Sequence, residues 1–300
     1  MGDYCIYELD RDKKRATIIF NRPEKLNAAT AADWQEVTAR VMEAEADEDV
    51  KAIVFKGAGR CFGTGHDVAD LGPHHGWDAS QRRPSQRRRL RFDDNIFWGR
   101  RGMCQTILYC DKVTIAQVQG YCYGGHHELA LACDIVVGSE DSQYTHPGYR
   151  YIGPLGEIVL CMLTMGVRKT KEMMLTGTPL SAAEAERCGL INRVVPFDQL
   201  ERTVDELVST IALQPSDALV LGKANFELAL DIAGVGTGYT AGYVTHCLQT
   251  NIQYAPDEFN LFKAKRAKGV KGALMEREER YTSAQLRRPL AGPAQQKPRS

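Results

Sequence analysis

The stretch from Lys112 to Val137, KVTIAQVQGYCYGGHHELALACDIVV, constrains this chain more than any other. Val113 to Val118 reads as a buried strand, Gly120 breaks it, and Tyr-Cys-Tyr-Gly-Gly makes a turn. A helix is expected from His126 and a second strand from Ile135. A Gly-Gly pair before a helix presents backbone N–H groups at the positive end of the helix dipole, so Gly124 and Gly125 form a candidate anion or oxyanion site. Glu128 falls in the first turn of that helix, where the dipole favours its ionised form and a role as base.

Composition narrows the class of protein. Of 300 residues 43% are hydrophobic, and 38 basic residues balance 38 acidic ones, as in a globular chain with no charge-driven partner. No run of 18 apolar residues exists, and MGDYCIYELDRDKKR is charged too early for a signal peptide, so a cytoplasmic protein without a membrane span is expected. Ile6 occupies the position where a myristoylation signal wants Ser or Thr. Nine cysteines, scattered and without a C-x-x-C pair, read as buried free thiols.

Along the chain, Cys5 to Leu9 and Ala16 to Phe20 read as a strand pair. Thr30 and Asp33 resemble a capping box opening a helix with Trp34, Val37 and Val41 on one face, and a strand follows at Ala52 to Phe55. Its exit, GAGRCFGTGHD from Gly57 to Asp67, is glycine-rich, but a dinucleotide fingerprint needs glycine where Phe62 stands and a helix at once. The alternative is a loop whose N–H groups near Gly65 and His66 face inward as a second donor site.

Between Gln81 and Arg91 lie six arginines, readable as a nucleic-acid patch, a clamp on a ligand phosphate, or a solvated helix face. His74 and His75 lack a third ligand at a recognisable spacing, so no metal site is expected. Ser139 to Gly156 reads as a long functional loop, followed by an apolar helix from about Glu157 to Met165. Lys169 to Leu175 is helical, Ser181 and Glu184 cap a further helix that Gly189 ends, and Ile191 to Val195 is a short strand. From Gln199 the pattern is helical, with Ser216 as a cap and a further helix over Ala241 to Tyr254. The tail from Ser283 is polar and Pro-rich and is expected to be disordered.

Four separated motifs carry a resemblance: NRPEKLNA, AIVFKGAGRCFGTGHDV, IAQVQGYCYGGHHELALACDIVV and LTGTPLSAAEAERCGLINRVVP. In this order and spacing, over about Ile6 to Val195, the chain resembles the enoyl-CoA hydratase/isomerase (crotonase) superfamily. The resemblance implies an α/β fold, a spiral of ββα repeats over residues 1–198, with a C-terminal helical trimerisation region over 199–282 and a tail at 283–300. It implies a homotrimer or hexamer and an acyl-CoA substrate, with coenzyme A part of the thioester and no prosthetic group.

The same resemblance assigns roles. His66 and Gly125 fall at the two oxyanion-hole positions, acting through main-chain N–H groups on the thioester carbonyl; each such donor is typically worth about 3 to 4 kcal/mol. Lys25, Leu26, Asp67 and Val68, with His66 and Gly124, fall along the coenzyme A groove, and Lys263 and Lys265 are candidates for its phosphates. Glu128 takes the first of two acid/base glutamate positions. The second is expected in a Phe-Gly-x-Pro-Glu pattern, but the chain reads Tyr144-Thr-His146-Pro147-Gly148.

Hydration normally shares two proton transfers between two carboxylates. His146, Tyr149 and Glu157 are candidates to stand in for the missing acid, with His126 a further participant, and a one-base reaction is the alternative. The reading is thus an enolate-forming CoA-thioester enzyme, by default an enoyl-CoA hydratase or isomerase, a lyase-type activity of fatty acid metabolism. A decarboxylase or C–C bond hydrolase using histidine is the nearest alternative. An RNA-binding protein on the same frame is the alternative of another class, and the zero net charge weighs against it.

Overall fold

The computed structural model describes residues 4–70, 85–150, 153, 156–248 and 252–282. His74, His75, Arg82, Arg83 and the tail from Ser283 lie outside them.

The chain opens with an antiparallel pair, β1 (Cys5–Asp10) and β2 (Arg15–Phe20). Helix α1 (Ala31–Glu45) follows, and Thr30 closes the expected capping box with Asp33. Strands β3 (Ala52–Gly57) and β4 (Val113–Val118) then extend the sheet in parallel. Between them lie α2 (Gln86–Asp93), a wide helical turn over Asp94–Trp98, and α3 (Met103–Leu108). All six residues of β4 are buried, as a parallel strand covered on both faces requires.

After β4 come β5 (Tyr121–Tyr123), α4 (Gly125–Ala132), β6 (Ile135–Ser139) and β7 (Gln143–Thr145). Next are α5 (Ile158–Met165), α6 (Val167–Thr176), β8 (Leu180–Ser181), α7 (Ala182–Arg187) and β9 (Arg193–Val195). Among the described residues these strands form a six-stranded sheet, β1-β2-β3-β4-β6-β9, and a three-stranded one, β5-β7-β8.

The small sheet sets up the site. Strand β5 pairs in parallel with β7, Cys122 opposite Tyr144 and Tyr123 opposite Thr145. On its other side Tyr123 donates from its amide to Gly63 O (2.9 Å), and Gly63 donates to Tyr121 O (2.8 Å). Parallel neighbours leave a sheet on the same side. The segments that exit at 64–66, 124–125 and 146–148 therefore emerge together.

Side-chain alternation divides the core. Ala52, Val54, Val113, Ile115 and Val137 face α8 (Leu200–Ala212), whose Leu200, Val204, Val208 and Ile211 cover them. Ile53, Phe55, Ala116 and Val118 point to the larger core with Trp34, Phe62 and Leu129. The remaining helices are α9 (Ser216–Ile232), α10 (Val235–His246) and α11 (Leu261–Thr282), the last interrupted at Gly269, where φ is 70°.

Several expectations change. Ser139 to Gly156 is not one long loop, because Gln143–Thr145 is a strand and Pro147–Arg150 a 3-10 turn. Tyr121–Tyr123 is likewise a strand. Ser216 is the first residue of α9 and Pro215 its N-cap, since proline's fixed φ suits a helix entry. The helix expected over Ala241 to Tyr254 instead begins at Val235 and ends at His246. All nine cysteines are free, as expected, and seven are buried, but Cys133 and Cys188 are only half-buried.

Candidate active site

Glu128, His66, Gly125, His146, Lys25, Leu26, Asp67, Val68 and Gly124 all line one cavity of about 570 Å³. Phe97 and Trp98 form an aromatic wall, and Val270, Leu274 and Arg277 of α11 reach the same space.

The glycine turns meet backbone to backbone. Gly65 has φ +86°, and a Cβ there would stand 3.0 Å from Gly125 N. At Gly125 a Cβ would come 2.7 Å from Trp34 Cζ2, so only glycine fits. Ala29 donates to Gly65 O (2.9 Å) and accepts from Asp67 N (2.9 Å), an alternation that turns the intervening His66 amide to the opposite side. The first intrahelical bond of α4 runs from Glu128 N to Gly124 O (3.0 Å), which leaves Gly125 N–H among the helix's orphan donors.

Two of the expected donors are occupied. Gly124 gives its N–H to Thr145 O (3.0 Å), and Gly65 gives its own to His126 Nδ1 (3.0 Å). The candidate donors on the cavity wall are thus the amides of His66 and Gly125, while Gly124 shapes the turn.

His126 is a strut, not a participant in proton transfer. With Nδ1 accepting from Gly65, Nε2–H faces the Tyr4 hydroxyl (3.0 Å), which donates to Asn27 O (2.6 Å). Phe20 packs edge-to-face and Trp34 at a tilt against the ring, with centroids 4.8 and 4.7 Å away. Burial pushes its pKa down to about 3, so it stays neutral and ties the first oxyanion loop to α4.

Glu128 is held from two sides. His146 Nε2 lies 2.7 Å from Oε1, and Trp98 Nε1 donates to Oε2 at 2.9 Å. Burial alone would raise this carboxyl, but the hydrogen bond and charge of His146, aided by Trp98, hold it below the usual range. Gly148 N–H reaches His146 Nδ1 at 3.2 Å, so it is Nε2 that presents a proton to Glu128. Burial lowers the His146 pKa, and the charges of Glu157 and Glu128 more than offset it, leaving it raised.

Glu157, the residue before α5, is wholly buried and neither carboxyl oxygen has a hydrogen-bond partner. Burial first, and the charge of Glu128 second, push it up to about 8. Tyr149 is more than a third exposed and does not line the cavity, which removes it as a stand-in.

One oxygen or nitrogen from each of Glu128, His146 and Glu157 lies within 4.8 Å of the others, close enough for a metal. A metal-bound histidine donates its second ring N–H, whereas His146 Nδ1 accepts one from Gly148. The donor set therefore suits proton sharing better than a cation.

The groove edge is also defined. Lys25 Nζ pairs with Asp67 Oδ2 (3.1 Å), and Lys265 Nζ donates to Val68 O (2.7 Å) and Ala69 O (2.8 Å), fastening α11 over the loop. Arg87 and Arg88 are exposed, but Arg89 is buried, with its guanidinium 2.9 Å from His246 Nδ1. Arg91 is exposed as well, so among the described arginines of the run Arg89 alone turns inward. Among the described residues no helix is long and apolar enough to cross a membrane.

The profile of the Enoyl-CoA hydratase/isomerase family matches residues 11–241. This chain belongs to the enoyl-CoA hydratase/isomerase family. It is 30% identical over 227 residues to a probable enoyl-CoA hydratase, echA8, of Mycobacterium bovis, covering 74% of this chain and 81% of that one. A putative enoyl-CoA hydratase, EchA13, of Mycobacterium tuberculosis is 28% identical over 298 residues, 92% of each chain. The crystal structure of an enoyl-CoA hydratase/isomerase from Xanthobacter autotrophicus Py2 superposes with a TM-score of 0.79 at 27% identity, covering 93% of this chain and 99% of that one. The crotonase fold expected from the four motifs is the fold of this family member.

Trp98 and the arrangement around Glu157 were not legible in the motifs. A Cβ at Gly156 would meet Trp98 Cγ at 2.4 Å, so the turn before α5 presses directly on the indole that holds Glu128. Glycine immediately before Glu157 was the only sequence trace of that contact.

Proposed function

We propose that this family member acts on acyl-CoA thioesters by moving a proton at the carbon beside the thioester, through an enolate. The observation that carries the reading is the position of Glu128. It is a buried carboxylate, held by His146, Trp98 and the Cys104 thiol, on the cavity wall beside the turn that carries the His66 and Gly125 amides.

In this reading the two amides bind the thioester oxygen as charge develops on it, the largest single contribution such sites make. Glu128, kept ionised by His146 and Trp98, takes the proton from the substrate or from a water that adds to it. The groove by Lys25, Leu26, Asp67 and Val68 would hold the coenzyme A portion of the substrate.

Enoyl-CoA hydration or isomerisation is the activity proposed. The arrangement gives less support to a histidine-based C–C hydrolase. His146 directs one ring nitrogen at Glu128 and the other at the Gly148 amide, so neither offers a lone pair to a water. A trimer or hexamer is proposed with it; Leu221, Phe226, Leu228 and Ile232 of α9 are exposed apolar side chains suited to burial in such an assembly.

The test is turnover of crotonyl-CoA, followed by loss of the conjugated double bond, and of a 3-enoyl-CoA, followed by its gain. Turnover of either that Glu128→Gln abolishes supports the proposal. Background rates on both, with the protein folded, would overturn it.

A further inference from the structure

Glu157 occupies a place in the site that hydrogen bonding does not explain. It is 0% exposed, both its oxygens lack partners, and it shares a 4.8 Å cluster with Glu128 and His146. Among the described residues, the titratable groups around it are Glu128 of α4, His146 and Tyr149 after β7, Cys104 of α3, Cys161 of α5 and Tyr239 of α10. None of these is a lysine or arginine. His146 is the one group of this set able to carry positive charge, and its Nε2 bonds Glu128 (2.7 Å), so the second carboxylate of so close a pair is left without a counter-charge of its own. Glu128 has three donors, His146, Trp98 and the Cys104 thiol, and Glu157 has none, so the shared proton belongs on Glu157.

We propose that Glu157 is a positioning residue of the acid/base site: a protonated carboxyl, supplied nine residues beyond Gly148, that keeps Glu128 ionised and the His146 Nε2–H turned towards it. The role rests on the functional reading above but makes its own prediction. Its shift up to about 8 agrees with that placement. Once Glu157 ionises, a second anion competes for the His146 Nε2–H and draws it from Glu128. The working form therefore exists below that value and is lost as pH rises through it.

The experiment pairs infrared spectroscopy with a pH profile. Wild type at neutral pH should show the carbonyl band of a protonated buried carboxylic acid that Glu157→Gln lacks, and the band should disappear as pH rises through about 8. In Glu128→Gln, where the neighbouring charge is gone, its midpoint should move down. Wild-type kcat should fall about tenfold per pH unit on the alkaline side, and Glu157→Gln should lose that limb. Absence of the band at neutral pH, a midpoint unmoved in Glu128→Gln, or an alkaline limb retained in Glu157→Gln would each overturn the proposal. If Glu157→Gln does not fold, the wild-type and Glu128→Gln band titrations decide. If no CoA thioester is turned over, the infrared result still judges Glu157, and the failure belongs to the functional reading.

Discussion

His146 Nε2 stands 2.7 Å from Glu128 Oε1, and the ring reaches that place because β7 runs parallel to β5, the strand that leads into the Glu128 helix. The pairing fixes which proton the carboxylate sees. His146→Ala would remove the donor that lowers the Glu128 pKa, so the carboxyl would become harder to ionise. The expected result is an acid limb of kcat/KM displaced to higher pH, with activity near pH 6 down by about 10 to 100-fold. An unmoved acid limb would show that His146 does not set the charge of Glu128.

Trp98 acts on the other oxygen. In Trp98→Phe the ring's bulk against Gly156 is mostly kept, but the 2.9 Å bond to Glu128 Oε2 is lost. A change of the same sign and smaller size is expected, about 3 to 10-fold in kcat, because one hydrogen bond to a charged group is worth roughly 1.5 to 3 kcal/mol and only part of it is specific to the ionised form. Steady-state kinetics of the folded variant checks this, and wild-type kcat would contradict it.

Gly125→Ala tests the oxyanion turn. Its new methyl would meet Trp34 Cζ2 at 2.7 Å, and the flanking amide would have to shift. A loss of about 100-fold in kcat is expected, with a much smaller change in KM, since the donor acts on the developing charge. Equal losses in binding and turnover would point to simple disruption of the cavity, which circular dichroism and a thermal melt can check.

Acid stability follows from the buried histidines. His126 and His127 are both pushed down to about 3 by burial, against an ordinary value of 6.5. The unfolded chain therefore binds more protons between those limits, and folded-state stability is complete above about pH 6.5 and falls as pH drops towards 3. Denaturant melts across this range should show the decline. His126→Gln should lessen the slope while lowering stability at neutral pH, because Gly65 and Tyr4 lose their partner. A slope identical to wild type would contradict the assignment.

Much of this architecture can be read from residues whose local physics leaves few options. The run Val113 to Val118 predicts a buried strand, Thr30 with Asp33 and Ser181 with Glu184 form the expected capping boxes, and Gly124 has the positive φ that its turn needs. Strands β5 and β7 were not legible, because three residues are too few to show alternation and their pairing is a tertiary event. Neither were the contacts of Glu128, since Trp98 lies 30 residues before it and Glu157 gains its meaning only from burial beside it. His126 and His127 are adjacent in a helix buried on all sides, so sequence alone could not say which faces the cavity; neither lines it.

The most direct measurement is exchange of the α-protons of butyryl-CoA in deuterium oxide, followed by mass spectrometry. A saturated thioester cannot be hydrated or isomerised, so exchange reports enolate formation alone. The account predicts deuterium at the α-carbon with wild type and loss of that incorporation by about 100-fold or more in Glu128→Gln. Exchange at the wild-type rate in Glu128→Gln, or none with wild type that binds the thioester, would contradict it.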